Sequence, residues 1–171
     1  QCSIRPSVEV ANRQGESHPW EVAGLNRASA QLVSRNDDGA AFGGTPSDAS
    51  VIRAIEDIKA RGLEVTLYPF VMMDIPSSNG LPDPYGASEQ AAFPWRGRIT
   101  ADFAPGQTGS SDRTAALPSQ VHHFLGTVQP SDLQITSKTV ISASQEWSFR
   151  RLVLHYAKLA TLAGGVDAFV L

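Results

Sequence analysis

Asp74 stands at a position where a carboxylate could take part in chemistry. It follows the apolar run Phe70-Val71-Met72-Met73, at the point where a buried strand would leave a sheet. In parallel α/β folds these strand ends carry the catalytic side chains, and an acid there can act as proton donor, nucleophile, metal ligand or sugar partner. An Asp that caps the turn before Ile75-Pro76 through its own side chain is the alternative.

A second set of side chains, most of them in the loop beyond Asp74 and Tyr68 on the strand before it, is suited to bind a sugar ring or a partner's surface. Indole rings stack on apolar C–H faces, and guanidinium groups hold hydroxyls or carboxylates in a fork. With Asp74 as the catalytic candidate, the predicted substrate-binding residues are Tyr68, Trp95, Arg96, Arg98 and Asp102. The alternative is that the loop cluster only fixes the loop to the domain, with an Arg paired to Asp83 or Asp102.

The remaining polar motifs indicate structure rather than chemistry. His122-His123 are adjacent on a predicted helix and cannot both face one metal, so no metal site is predicted. His155 lies in an apolar helix and reads as a packing histidine, and Asp167 is predicted to bond to neighbouring backbone. The segment 39–44 has neither the lysine nor the glycine order of a phosphate-binding loop, and no cofactor is predicted.

Two helix-glycine-strand units must position these residues. In the first, Thr45-Pro46-Ser47-Asp48 is predicted to open a helix, with Thr45 as the cap and Asp48 completing a capping box. Gly62 ends that helix, and the strand 65–74 follows. One face of the helix is apolar through Val51, Ile52, Ile55 and Ile58.

The second unit lies at the end of the sequence. A helix over 152–163 is interrupted by Gly164-Gly165, and the apolar strand 166–171 follows. Ser142-Ala143-Ser144-Gln145 is predicted to cap this helix, and 134–141 to form one strand before it. A helix is also expected within 112–125, with Pro118 in its first turn or breaking it.

Composition narrows the classes of partner. The chain has 171 residues, of which 42% are hydrophobic and 18% charged, and a net charge of -3. Nucleic acid and anionic membranes call for clustered Lys and Arg, so neither is an expected partner, and no apolar run is long enough for a membrane span. The lone Cys2 has no second cysteine with which to form an internal disulfide.

Repeated helix-strand units favour a parallel α/β fold. A (β/α)₈ barrel takes about 250 residues, so we expect the sequence to hold the N-terminal portion of one, with a long loop insertion after the Tyr68 strand. Residues 1–41 would be a lead-in with a first strand, and 42–171 the barrel portion. An exposed parallel edge over 166–171 would be adhesive unless other strands or a partner cover it.

Several long strings resemble one family, the TIM-barrel-like domain of the large tail protein of gene transfer agents and related phages, often called the host-specificity protein. The strings are Tyr68-Pro69-Phe70-Val71-Met72-Met73-Asp74-Ile75-Pro76, Leu81-Pro82-Asp83-Pro84-Tyr85-Gly86, Phe93-Pro94-Trp95-Arg96-Gly97-Arg98 and Trp147-Ser148-Phe149-Arg150-Arg151. The similarity runs over 42–171.

The resemblance implies a glycoside-hydrolase-like barrel at the tail tip of a phage-like particle, made in the bacterial cytoplasm. It implies cell-envelope polysaccharide and other tail or baseplate proteins as partners. Whether the barrel hydrolyses glycan, only binds it or is purely structural stays open, because the Gly-Ser-Glu type segment of the family, with its natural acid, would follow Leu171.

Overall fold

A computed structural model of the chain describes residues 3–9, 19–36, 39–92, 99–137 and 139–171. Within these residues the architecture is mixed α/β, with strands that pair in five two-stranded sheets. The α-helices are α1 (Asp48–Ala60), α2 (Leu117–Leu125) and α3 (Phe149–Leu162), and a 3-10 turn spans Pro130–Asp132. Closure of the strands into a (β/α)₈ barrel stays a prediction.

The lead-in contributes two parallel strands and two short hairpins. β1 (Ser7–Val8) pairs in parallel with β4 (Gln31–Leu32). The antiparallel pairs are β2 (Glu21–Val22) with β3 (Leu25–Asn26), and β5 (Arg35–Asn36) with β6 (Gly39–Ala40).

The turn between β2 and β3 is a tight two-residue turn. Ala23 and Gly24 both have positive φ, 53° and 81°, as the hairpin turn whose twist matches its strands requires. Val8, Trp20 and Val22 form a buried cluster beside it, and Trp147 packs against that cluster. The lead-in is therefore packed against a residue just before α3.

α1 forms as the sequence predicts, but Ser47 and not Thr45 caps it. The Ser47 side chain accepts a hydrogen bond from the Ser50 backbone N–H at 3.2 Å. Thr45 is not available for this role because its hydroxyl accepts from the backbone N–H of Ser7 at 3.1 Å. Asp48 is the first helical residue, so the predicted capping box is also wrong.

Both long helices end in the same hydrogen-bonded motif. After α1 the N–H groups of Gly62 and Leu63 donate to Lys59 O and Ile58 O, and Gly62 has φ 73°. After α3 the N–H groups of Gly164 and Gly165 donate to Thr161 O and Ala160 O. This pair of bonds is the Schellman motif, which favours glycine because its residue after the cap is left-handed.

The strands that follow the two helices lie side by side. β7 (Thr66–Leu67) pairs in parallel with β10 (Ala168–Phe169). Asp167 reinforces the pairing, since its carboxylate accepts from the Val65 N–H at 2.8 Å and its own N–H donates to Val65 O at 3.0 Å. This structural bond confirms the prediction for Asp167.

Two local predictions before α3 are wrong. Ser148, not the 142–145 segment, caps α3 and accepts from the Arg151 N–H at 3.3 Å. The predicted single strand 134–141 is a hairpin of β8 (Leu133–Ile135) and β9 (Val140–Ser142). Its turn closes because the Thr136 hydroxyl donates to Thr139 O and accepts from the Thr139 N–H.

The helices are held on two buried clusters. Ile55 of α1 packs with Val65 and Ala163, and the half-buried Val51, Ile52 and Ile58 complete that face. Leu159 of α3 packs with Val128, Leu133 and Val140. α2 begins one residue before Pro118, so the proline lies in its first turn, where a missing N–H leaves no helical bond unmade.

Candidate functional site

Tyr68 lies directly after β7 and is half exposed together with Phe70. Tyr68 and Phe70 are 49% and 52% exposed, and their ring centroids are 4.5 Å apart at an interplanar angle of 43°. The pair presents apolar ring surface to solvent at the end of a parallel strand. Ring surfaces of this kind stack on the C–H faces of sugars, which is the chemistry predicted for Tyr68.

Asp74 is half-buried and makes a long-range contact. Both of its carboxylate oxygens lie 3.1 Å from the backbone N of Ser34, which donates to them. The bond joins the chain after β7 to the link between β4 and β5, whereas the sequence alternative placed the bond within its own turn. As the predicted catalytic acid, Asp74 therefore has one fixed backbone donor.

The other predicted site residues have different anchors. Asp102 is exposed, and its backbone N–H and C=O bond to the Gln120 side chain of α2 at 2.9 and 3.0 Å. Trp95, Arg96 and Arg98 lie outside the described residues, so their predicted roles stay predictions. Asp83, an alternative partner for those arginines, accepts from the N–H groups of Tyr85 and Ala87 within its own loop.

A buried polar cluster around Asp48 was not predicted. Asp48 is 1% exposed. Its Oδ1 lies 2.9 Å from His155 Nε2, and its Oδ2 accepts from the Ala23 N–H at 3.1 Å and from the Thr139 hydroxyl. One carboxylate thus joins α1, α3, the β2–β3 turn and the residue just before β9.

The cluster around Asp48 is buried, and its burial affects the neighbouring titratable side chains. His155 is 5% exposed, and its Nδ1 has no hydrogen-bond partner among the described residues. Burial, followed by the negative charge of Asp48, raises the pKa of the half-buried Tyr156 to about 12. Tyr156 is therefore neutral across the physiological range.

The cluster has part of the form of a catalytic triad but not its function. A triad needs the histidine to accept a proton from a nucleophile, whereas the hydroxyl of Thr139 donates to Asp48. The arrangement orients His155 and satisfies three buried donors. We interpret it as a structural junction, in line with the packing role predicted for His155.

A signal for the junction was present in the sequence. His155 is a polar residue within the apolar segment Leu152-Val153-Leu154, and a buried imidazole requires a partner. Asp48 lies in a stretch rich in residues that cap helices, so a capping role at the start of α1 was enough to account for it in the sequence. The partner lies 107 residues away, beyond the reach of local patterns.

His122 and His123 are both exposed on α2, as predicted for a surface pair. In the described residues no group of three or more His, Cys, Asp or Glu side chains is arranged to hold a metal ion. No helix in that part of the chain is both long enough and apolar enough to cross a membrane.

Comparison with known proteins adds no identification. The sequence matches no family model, and no curated protein matches it.

Proposed function

We propose that this chain is a tail-tip component of a phage-like particle, in which a glycoside-hydrolase-like barrel contacts glycan of the cell envelope. The exposed Tyr68–Phe70 pair carries the proposal. It lies at the end of a parallel strand, where barrels of this type place their substrate. The family resemblance of the strings around it supports the tail-tip setting, with other tail or baseplate proteins as neighbours.

The aromatic pair explains how the chain would hold a glycan. An aromatic ring buries the apolar face of a sugar while the hydroxyls at the rim stay hydrated or bond to polar neighbours. Asp74 follows the pair within the same segment, and each of its carboxylate oxygens has a lone pair left beside the bond to Ser34 with which to accept from a sugar hydroxyl. Recognition of this kind needs no metal and no cofactor.

The test measures co-sedimentation of the chain with purified peptidoglycan sacculi and with capsular polysaccharide. Tyr68→Ala and Phe70→Ala should each weaken binding by about tenfold, which corresponds to about 1.4 kcal/mol. Tyr85→Ala is the matched control, because Tyr85 is also exposed but lies in the loop beyond Asp74. Equal binding by all three variants would contradict the proposal.

Active glycoside hydrolysis is the second candidate, favoured by the half-buried Asp74 carboxylate after β7. Hydrolysis requires two carboxyl groups, about 5 Å apart in retaining enzymes and about 6.5 to 9.5 Å apart in inverting ones. Release of reducing sugar from the same glycans, lost in Asp74→Asn and kept in Asp83→Asn, would establish it. Binding without release would leave the chain a binding module.

A further inference from the structure

A cavity of about 220 Å³ lies where the lead-in meets the start of α3. The β2–β3 turn with Gly24 closes one side. The other walls include Ser142 of β9, Ser144, Gln145, Trp147 and Arg151. None of these lining residues takes part in the function proposed above, so the cavity is independent of that function.

Arg151 brings a buried positive charge to the cavity wall. Its side chain is 5% exposed, and its guanidinium carbon lies 3.6 Å from the centroid of the Trp147 ring. Nη1 donates to Ser144 O at 2.9 Å and to Glu146 O at 2.8 Å. Burial lowers the pKa of Arg151, as does the charge of Arg5, while the negative charge of Glu146 acts in the opposite direction.

Within the described residues no carboxylate lies within ion-pair distance of Arg151, and its Nε and Nη2 have no hydrogen-bond partner. The charge of Glu146 acts on Arg151, but no carboxylate is bonded to it directly, and burying a cation without such a partner is unfavourable. The ring of Trp147 and two carbonyl oxygens compensate only in part, since they supply partial charges. The guanidinium therefore has unused capacity for a negative partner.

The charges around the cavity add to this imbalance. The carboxylate of Glu146 is engaged elsewhere, because it accepts from the N–H and hydroxyl of Thr127 and from the hydroxyl of Ser148. Arg5 contributes a second cation on the Trp147 ring, with its guanidinium carbon 5.7 Å from the ring centroid. The balance at the cavity is positive.

Two hydroxyl groups on the wall are poised as donors. Ser142 Oγ accepts from the Ser144 N–H at 3.2 Å, and Ser144 Oγ accepts from the Glu146 N–H at 3.1 Å. With these acceptor positions in use, each hydroxyl hydrogen is free to donate, and neither has an acceptor among the described residues. The cation of Arg151 and the two hydroxyl donors thus line the same cavity.

We infer that this cavity is a binding site for a small oxyanion, the carboxylate or phosphate group of a compact ligand. Arg151 supplies the charge through Nε and Nη2, and the hydroxyls of Ser142 and Ser144 donate to the same anion. The volume equals that of about seven waters, which admits a small acid or a monosaccharide acid and excludes a folded peptide.

Calorimetric titration of the chain at low ionic strength with acetate, inorganic phosphate, glucuronate and uncharged glucose tests the site. At least one anion should bind with a stoichiometry of one, and glucose should not. Arg151→Gln should weaken anion binding at least tenfold, whereas Arg150→Gln, which removes the exposed neighbouring charge, should leave it unchanged. The tighter of the carboxylate and phosphate arms identifies the anionic group of the ligand.

Gln145→Glu is a second variant that tests anion binding at the cavity, and it does so even if Arg151→Gln does not fold. Gln145 is exposed at the cavity, so a carboxylate there would neutralise Arg151 internally and compete with the ligand. Binding should fall at least tenfold in this variant and stay unchanged in Gln31→Glu, which adds the same charge on β4. Full binding by Gln145→Glu, or no saturable binding of any anion by the unmodified chain, would overturn the inference.

Discussion

The carboxylate of Asp48 satisfies three donors in a buried region, those of Ala23, Thr139 and His155. A buried charge is tolerated only when it is paired and hydrogen-bonded. The bond to Ala23 also holds a non-glycine residue at φ 53°, in a region that most side chains avoid. At the scale of single residues, Asp48 is therefore a group on which contacts across 25, 91 and 107 residues depend.

Asp48→Ala should lower the free energy of unfolding by about 3 kcal/mol or more, because it leaves three buried donors without an acceptor. Asp48→Asn should lower it less. Its amide can donate to His155 Nε2 once the imidazole proton moves to Nδ1, while the amide oxygen still accepts from Ala23 and Thr139.

Urea denaturation of the chain measures both changes. Asp57→Ala is the matched control, since Asp57 lies on the exposed face of α1 and should change the free energy of unfolding by less than about 0.5 kcal/mol. If Asp48→Ala were as stable as this control, the junction would not contribute to folding.

At the scale of elements, Glu146 links the segment after α2 to the first turn of α3. Its carboxylate accepts from the Ser148 hydroxyl at 2.6 Å and from the hydroxyl and N–H of Thr127. These bonds, that to the Ser148 side chain first, outweigh partial burial and lower the pKa of Glu146 from 4.5 to about 2. The link therefore stays charged in mild acid.

A lowered pKa in the folded state gives a definite pH dependence. The stabilisation from Glu146 is complete above a pH of 4.5 and is lost as the pH falls towards 2. The difference in unfolding free energy between the unmodified chain and Glu146→Gln should thus be larger at about pH 6 than at about pH 3. Glu64→Gln, at an exposed position, should show a much smaller change, and an equal change in both variants would contradict the assignment.

Helices whose apolar face and C-terminal end depend only on neighbouring residues could be predicted from the sequence. The apolar spacing of α1 and the glycines after α1 and α3 are properties of neighbouring residues, and both helices end as predicted. Caps were misplaced where several Ser and Thr residues compete, because tertiary bonds such as that of Thr45 to Ser7 decide between them. The hairpin of β8 and β9 was missed because its turn has no glycine.

The long-range contacts of the candidate site could not be predicted from the sequence either. Asp74 could be singled out because it lies at the end of an apolar run, and Tyr68 because it is an aromatic residue on the strand that leads to it. The partner of Asp74, Ser34, is 40 residues away, and the partner of Asp48 is more distant still. Arg151 has the appearance of an ordinary helix-surface cation, since nothing nearby in the sequence shows that β9 and the β2–β3 turn enclose it.

At the scale of the whole molecule, the β7–β10 pair leaves apolar side chains exposed. Phe70 and Val170 are exposed beside these strands, at 52% and 39%. Exposed apolar groups beside short parallel strands promote self-association. A strand edge offers backbone groups for pairing with another chain, and the apolar surface beside it adds to the contact.

The chain should therefore self-associate as its concentration rises, and Val170→Lys should reduce the apparent mass. Size-exclusion chromatography with light scattering measures this. Val121→Lys is the control, because Val121 is an exposed valine on α2. A monomer at every concentration would show that this surface is not adhesive on its own.

The pairing of β7 with β10 also sets an order of events during synthesis. The bond between Val65 and Asp167 spans 102 residues, so α1 and β7 leave the ribosome well before their neighbouring strand exists. At about 5 to 20 residues per second the delay is about 5 to 20 s. Throughout that interval β7 lacks the strand that pairs with it, so a chaperone would have reason to cover it.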